Sequence, residues 1–191
     1  MKTRKNEKKY CFLLILILVC FLCSACTSST PVQSTKMMSG NQPEFVKLGK
    51  YWVVDPKGFL DESTLIDADS VLEQLRLDHI AEVAIVIMTG IKNNGPFDDE
   101  KIWARDWGRE IKLGDINDKR SIVWLIRPDV DPSEGRVTIE ISTHLTKLTV
   151  SDYYSILEEA GHFANANNWN EAVYSIVRGT NTVLRQFFNE R

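Results

Sequence analysis

The sequence predicts an α/β fold: a single αβα sandwich domain in which a central four-stranded mixed sheet is flanked by helices. Two apolar runs, 82–88 and 121–126, have the β-branched composition of strands that are covered on both faces. A third segment, 136–142, alternates apolar and polar residues as a half-exposed strand does. With the intervening helical patterns, the order is strand, helix, strand, helix, strand, strand, helix, helix, which is typical of α/β domains.

A short strand and a helix open the domain. Residues 51–54 form the strand, and a turn cluster at 55–58 that contains Asp, Pro and Gly ends it. Ser63 is the predicted cap of the helix that follows. The apolar residues of this helix recur every three or four positions, which places them on one face. They are Leu65, Ala68, Val71, Leu72 and Leu75.

A second strand and helix follow. The strand at 82–88 leads into a loop at 90–96, and the acidic residues at 98–100 lie in the first turn of the next helix, where the helix dipole favours them. One stripe of this helix is apolar. It consists of Ile102, Trp103, Trp107 and Ile111. We therefore expect both tryptophans, and Trp124 in the following strand, to lie in the core.

The second half of the domain begins with a hairpin. Segments 121–127 and 136–142 are predicted to pair antiparallel, because only a short turn connects them. This turn is rich in acidic residues, as calcium loops are, but Glu134 occupies the sixth position, where such a loop requires glycine. We interpret it as a hairpin turn. Two helices, at about 151–163 and 169–187, complete the chain, so that the domain has helices available for both faces of the sheet.

The amino terminus carries an export signal. Five basic residues precede an apolar run at 10–23, which ends in Cys23-Ser24-Ala25-Cys26. This combination is typical of a secretory signal. The run is shorter than the roughly 20 residues of a membrane span, although an uncleaved anchor and simple cleavage remain alternatives. Small residues before a cysteine favour a bacterial lipoprotein signal, in which Cys26 is the lipid-modified first residue of the mature protein.

The chain is thus predicted to have three parts: a signal peptide at 1–25, a flexible tether at 26–48 and an α/β domain at 49–191. All four cysteines lie within 11–26. We therefore expect a domain without disulfides, cysteine nucleophiles or cysteine-bound metals. Without the leader the net charge is near −7, which argues against a nucleic-acid partner. The expected location is the bacterial cell envelope, with the lipid on Cys26 in the membrane and the domain outside the cytoplasmic membrane.

Several segments of the domain resemble the TPM domain family, which includes thylakoid lumen proteins of photosystem II repair and many bacterial exported proteins. The resemblance covers about residues 50–188, and the order and spacing of its segments carry it. The similar segments are 53–60, 84–87, Trp107-Gly108 with Gly114-Asp115, 117–126, 136–141 and the helix that contains Asp152.

Two departures from the family pattern concern loops. A Gly-Leu-Glu-Gly element usually follows the last strand, whereas this chain has Ser-Thr-His-Leu-Thr-Lys at 142–147, with His144 in place of a glycine. The usual glycine after the polar loop is replaced by Lys119 and Arg120. Glycine permits backbone conformations that other residues resist, so these departures put a family active site in this chain in doubt.

The resemblance implies a carboxylate site at the strand ends, because some family members are acid phosphatases and some bind calcium. The residues at matching positions are Asp55, Asp118 and Asp152. Carboxylates suit calcium or magnesium, and such an ion can orient and neutralise a phosphate. From the residues alone, Asp55 is equally a turn residue before Pro56, and Asp152 is equally a first-turn acid of its helix.

The predicted function is that of a membrane-tethered lipoprotein whose domain acts as a protein-interaction or accessory module for an unidentified envelope protein. In this interpretation the protein is not an enzyme and has no cofactor. The alternative is a metal-dependent phosphatase or calcium-binding domain that uses Asp55, Asp118 and Asp152 with calcium or magnesium.

Overall fold

The computed structural model describes residues 47, 49, 51–91 and 99–189. The strands are β1 (Val53–Val54), β2 (Glu82–Ile87), β3 (Ser121–Ile126) and β4 (Val137–Ile141). The α-helices are α1 (Glu62–Leu77), α2 (Asp99–Glu110), α3 (Tyr154–Asn165) and α4 (Trp169–Asn189). Short 3-10 helices, Pro132–Glu134 and Val150–Tyr153, precede β4 and α3. The predicted signal peptide, Cys26, all of the predicted tether except Lys47, and most of the predicted loop at 90–96 lie outside the described residues.

The four strands form one mixed sheet in the order β1-β2-β3-β4. β1, β2 and β3 are parallel, with Val86 of β2 opposite Leu125 of β3. β4 is antiparallel to β3, with Val123 opposite Glu140. The predicted fold class, the predicted hairpin and the mixed sheet are therefore confirmed.

Alternation along the strands divides the core between two faces of the sheet. In β2, Val83, Ile85 and Ile87 pack with α1, α3 and α4 on what we call the first face. Ala84 and Val86 pack with α2 on the second face. The three parallel strands follow one another across the sheet, whereas α1 and α2 lie on opposite faces. The two crossover connections must then have opposite hands, so one of them is left-handed, which is rare.

The first face carries the larger core. α1 contributes Ala68, Leu72 and Leu75, all of them fully buried, as the three-and-four spacing predicts. α3 and α4 pack closely where they meet, because Gly179 lies against Ile156. A Cβ atom at Gly179 would come within 2.5 Å of the Ile156 Cγ1 atom.

Among the described helices, only α2 covers the second face. Trp103 and Trp107 stack on each other, with ring centroids 6.1 Å apart and an interplanar angle of 6°. Both rings are buried against Ala84, Val86 and other side chains of this face, and Trp124 is buried on the first face. The prediction that these three tryptophans lie in the core is therefore confirmed.

The predicted cap of α1 is wrong. The helix begins at Glu62, so the N-cap residue is Asp61 and not Ser63. The Asp61 carboxylate does not cap the helix, because it accepts a hydrogen bond from the Asn170 side-chain amide at 2.9 Å. The Asp61 backbone N–H donates to the Asn170 side-chain oxygen at 3.1 Å. A contact with α4 thus holds the start of α1, and local sequence does not reveal such a contact.

No helix in the described ranges combines the length and the apolar character that crossing a membrane requires.

Candidate functional site

A recess of about 340 Å³ lies between the carboxyl-terminal part of α2 and the edge of the sheet where β3 begins and β4 ends. We call it the basic recess. The basic residues that line it are Arg105, Arg109, Lys112 and Lys119, and the acidic ones are Asp115 and Glu140. His144 lines it as well. This concentration of positive charge is unusual in a domain with an excess of acidic residues.

Helix geometry brings several of the cations together. Lys101, Arg105 and Arg109 are spaced four residues apart on α2, so they lie on one side of the helix. Asp106 pairs with both arginines, at 3.6 Å from Arg105 and 3.4 Å from Arg109. Both arginine side chains are largely exposed, at 43% and 69%, and such exposed pairs are weak. The guanidinium groups can therefore exchange Asp106 for an anionic ligand at little cost.

Glu140 of β4 forms part of the recess floor. Burial raises the pKa of the Glu140 carboxyl, and the nearby cations Arg105, Lys101 and Arg109 counteract part of this increase. Its neighbour across the ladder is Val123 of β3, so the carboxyl lies on the second face beneath α2. The recess thus combines exposed cations on the helix with a half-buried carboxyl on the strand.

A buried carboxylate fixes the loop that forms one wall of the recess. Glu82, at the start of β2, is only 3% exposed. Its carboxylate accepts hydrogen bonds from the backbone N–H of Gly114 at 2.7 Å and of Ile116 at 3.1 Å. Asn117 is also buried, and its side-chain amide donates to the carbonyl of Arg76 at 3.2 Å. Hydrogen bonds to the sheet and to the end of α1 therefore hold the loop in one conformation.

Two residues of the same loop have backbone conformations that glycine adopts most easily, although neither residue is glycine. Asp118 and Lys119 have φ angles of 52° and 61°, in the left-handed region that side chains disfavour. Lys119, with Arg120, stands where the resemblance to the family leads us to expect a glycine. Its carbonyl accepts a hydrogen bond from the Ser142 hydroxyl at 2.8 Å, and that hydroxyl accepts from the Ser121 N–H at 3.1 Å. The loss of the glycine has therefore not removed the glycine-like backbone, and the surrounding bonds compensate for the strain.

Two of the three predicted carboxylates, Asp55 and Asp118, lie at opposite ends of the parallel strands. Asp55 follows β1, at the edge where the parallel strands end. Asp118 precedes β3, so it lies at the opposite edge, whereas Asp152 belongs to the 3-10 helix Val150–Tyr153, well beyond the end of β4. The six residues of β3, which span roughly 17 Å, separate the two edges. Asp55, Asp118 and Asp152 therefore do not form one site in this structure. The sequence pattern did not reveal at which strand end each residue lies.

Each of these carboxylates has a local structural contact. Asp55 accepts a hydrogen bond from the Leu60 N–H at 2.8 Å. Asp118 is exposed and pairs with Arg120 at 3.4 Å. Asp152 accepts from the Thr149 N–H at 2.6 Å in a capping box at the start of its 3-10 helix. Within the described ranges, no group of three or more His, Cys, Asp or Glu residues is placed to hold a metal ion.

The other edge of the sheet holds buried polar groups that the sequence analysis did not single out. Arg127 is 1% exposed and donates to the Gly135 carbonyl. Burial lowers the pKa of its guanidinium, and Glu100 and other nearby acids counteract part of that change. Among the described residues, one oxygen each of Asp55 and Glu100 is buried without a hydrogen-bond partner. Arg127 directly follows the apolar strand β3, and Glu100 follows two other acids at the start of α2, so the sequence did not show that either side chain is buried.

Sequence reasoning also missed the cations of the recess. The signal that could have found them is the four-residue spacing of Lys101, Arg105 and Arg109 on a predicted helix in an otherwise acidic domain. His144, which did attract attention as a glycine replacement, lines the recess.

Comparisons with known proteins agree with the fold. A family model described as the TPM domain matches residues 53–183. The N-terminal domain of a protein from P. gingivalis, solved by solution NMR, is 20% identical with a TM-score of 0.57, over 72% of this chain and 84% of that one. An NMR structure of a protein from the psychrophilic bacterium Bizionia argentinensis is 9% identical with a TM-score of 0.50, over 70% of this chain and 86% of that one. At these identities the two structures support the fold alone. No curated protein matches the chain.

Proposed function

The chain belongs to the TPM domain family, and we propose that it is a lipid-anchored member that binds another protein of the bacterial cell envelope. In this proposal Cys26 carries the lipid and the tether at 26–48 separates the domain from the membrane surface. The basic recess is the binding surface. The domain has an accessory role and no catalytic activity of its own.

Support for the anchor comes from the small residues Ser24 and Ala25, which directly precede Cys26 at the end of the apolar run. The negative charge of the mature chain gives no attraction to anionic lipids, so a covalent lipid would have to hold the protein at the membrane. One chain binds only marginally, whereas a multiply acylated terminus is a stable anchor.

The anchor is tested by growing the native bacterium with a palmitate analogue. The wild-type protein is expected to take up the label and to sediment with membranes, and Cys26→Ser is expected to lose the label. Cys20→Ser, in the middle of the apolar run, is the control and should stay labelled. A labelled Cys26→Ser protein would contradict the assignment of the lipid to this residue.

The basic recess is the observation that carries the binding role. Two of its cations, Arg105 and Arg109, are exposed and weakly paired, which suits a surface that exchanges water and internal partners for an external ligand. Its walls are held by buried hydrogen bonds of Glu82 and Asn117. A preorganised surface loses less conformational entropy when it binds.

The contacts and positions of the three predicted carboxylates favour a binding function over hydrolysis. Asp152 is engaged in a capping box, and Asp118 pairs with Arg120. Asp55 lies at the other edge of the sheet, away from the basic recess. A phosphatase that relied on these three residues would need them around one ion.

In-cell photocrosslinking tests the binding surface. A photoreactive residue at position 109, in the recess, is compared with one at position 158, which is an exposed site on α3. We expect position 109 to crosslink an envelope protein and position 158 not to do so. Adding Arg105→Glu should reduce the crosslink from position 109. Equal crosslinking from both positions, or none from position 109, would overturn the proposal.

One observation favours the alternative function: the cations of the recess also suit a phosphate group. This alternative predicts that millimolar calcium or magnesium, with inorganic phosphate, raises the melting temperature of the domain, because a ligand of the native state adds stability by mass action. The binding-module proposal predicts no metal-dependent shift. A calcium-dependent shift that Asp55→Ala abolishes would favour the metal-dependent alternative.

A further inference from the structure

β4 is the last strand of the sheet that the described residues form, and one of its sides faces away from β3. The Arg127 N–H donates to the Arg136 carbonyl at 2.8 Å, and the Ser142 N–H donates to the Ser121 carbonyl at 2.9 Å. These two bonds fix which backbone groups of β4 face β3, since such groups alternate along a strand. Residues 136, 138, 140 and 142 face β3, so the N–H and C=O groups of Val137, Ile139 and Ile141 point away from it.

In the described part of the chain, no strand pairs with that outer side. A groove of about 420 Å³ follows it instead, along Ile139 to Thr143. Lys101 of α2 lies at one wall of this groove, and Leu148 and Val150 lie at the other. Exposed edge groups of this kind are templates for an added strand.

The two sides of the groove differ in chemistry. On the second-face side, Lys101 lines the groove, and Arg105 and Arg109 line the adjoining basic recess, where all three cations attract the Glu140 carboxyl. On the first-face side lie Leu145 and Leu148, which belong to the first-face core. Val150, on the same side, is 47% exposed. A strand laid along β4 would thus meet positive charge with one set of alternate side chains and apolar surface with the other.

We propose that β4 is the docking edge for an extended segment of an envelope protein in which acidic and apolar residues alternate. The segment adds a fifth strand to the sheet, and its acidic side chains lie over the cations of α2 while its apolar side chains cover Leu148 and Val150. The proposal rests on the proposed function and names the kind of partner that the basic recess and the adjoining groove accept.

The same charges argue against a second copy of this chain as the occupant. Antiparallel pairing of two β4 edges into one continuous sheet would place both α2 helices on the same face. Lys101 and Arg105 of one copy would then approach the same residues of the other, and like charges across an interface are unfavourable. A partner of opposite charge avoids this repulsion.

Peptide binding to the purified domain tests the proposal. The probe is a nine-residue peptide of alternating Glu and Val with a fluorophore, and fluorescence polarisation measures its affinity at low and high salt. We expect saturable binding that weakens with salt, because screening reduces the attraction between exposed charges. A peptide of alternating Lys and Val is expected to bind at least about tenfold more weakly, the change that corresponds to roughly 1.4 kcal/mol.

Two N-methylated forms of the acidic peptide test strand addition. One carries N-methyl groups on every Val, and the other carries them on every Glu. In an added strand, the N–H groups of only one set point toward β4, so one form should lose binding and the other should retain it. Equal effects of the two forms would overturn strand addition, even if the acidic peptide binds.

Charge-reversal variants locate the site. The double variant Arg105→Glu with Arg109→Glu is expected to weaken binding of the acidic peptide at least about tenfold. Arg178→Glu is the matched control, since Arg178 is an exposed cation on α4 and should not affect binding. Unchanged melting temperatures would show that both variants are folded.

The possible results separate this inference from the proposed function. If the acidic peptide does not bind, or if Arg178→Glu weakens binding as much as the double variant, the strand-addition proposal is wrong. The photocrosslinks from position 109 would still decide the proposed function. If the peptide binds as expected and those crosslinks are absent, the docking edge stands and the proposed envelope partner at the recess does not.

Discussion

In the part of the chain that the structure describes, the first face of the sheet lies under α1, α3 and α4, whereas α2 is the one helix over the second face. The first face has the larger core, in which residues such as Leu72, Leu75 and Ile176 are fully buried. The second face has a smaller core around Trp103 and Trp107, and the basic recess lies beside it.

The two faces should therefore differ in how well they tolerate substitutions. Buried apolar area stabilises the fold, so substitutions under the three helices should cost the most. Cations beside the single helix are exposed and contribute little to stability. We therefore expect the first face to determine the stability of the domain and the second face to determine what it binds.

The largest expected effect comes from the first face. Leu72→Ala should lower the free energy of unfolding by about 2–5 kcal/mol, because it removes a fully buried side chain and leaves a cavity. Ile66→Ala on the same helix is the control: this side chain is 49% exposed, so the change should be within about 0.5 kcal/mol. Urea denaturation measures both. Similar losses for the two variants would break the comparison between core and surface.

A smaller effect is expected where α3 meets α4. Gly179→Ala should lower the free energy of unfolding by about 1–3 kcal/mol, because its Cβ atom would overlap Ile156. Gly161→Ala, on α3, is a matched control with no atom within 4 Å of the new methyl group. It should be neutral or stabilise the helix by up to about 1 kcal/mol. Thermal unfolding of both variants checks the close packing on the first face.

A substitution in the wall of the basic recess should change the free energy of unfolding in the opposite direction. Lys119→Gly should raise the free energy of unfolding by up to about 1 kcal/mol, because the φ angle of 61° at this residue costs less for glycine. Gly114→Ala should do the reverse, since Gly114 has a φ of 95° and a Cβ there would lie 3.0 Å from the Lys119 backbone. A loss of stability in Lys119→Gly would show that the lysine side chain matters more than the strain.

The smallest effect concerns pH. Because the pKa of Glu140 is raised in the folded state, mainly by burial, the folded protein holds this proton more tightly than the unfolded chain does. The free energy of unfolding should therefore fall as the pH rises from the ordinary value of 4.5 through the folded-state pKa. Glu140→Gln should remove that contribution. Stability curves of the two proteins between pH 4 and 8, measured by denaturant unfolding, test this; parallel curves would contradict it.

Much of the fold could be read from local patterns. The buried strands, the stripe of α2 with its two tryptophans and the hairpin all follow from apolar periodicity, which reports how each segment meets the core. The cap of α1 could not be read in this way, because Asn170 holds Asp61 from more than 100 residues away. Nor could the hand of the crossovers, because it depends on which face each helix covers.

The candidate site was harder to predict. The resemblance to the TPM family directed attention to Asp55, Asp118 and Asp152, but strand direction places Asp55 and Asp118 at opposite ends of the parallel strands, and Asp152 lies in a capping box. The cations of α2 carry no motif, and they become a site only where α2 crosses the end of β4.

The sequence by itself determined the element order, the apolar faces and the family resemblance, and it predicted the export signal with Cys26. These properties depend on residues that are close together along the chain. Only the tertiary structure decided that Lys119 keeps a glycine-like backbone, that the cations of α2 surround Glu140, and that β4 is an open edge. Each of these depends on contacts between distant segments, whose geometry is set by the packing of the whole domain and not by any one segment.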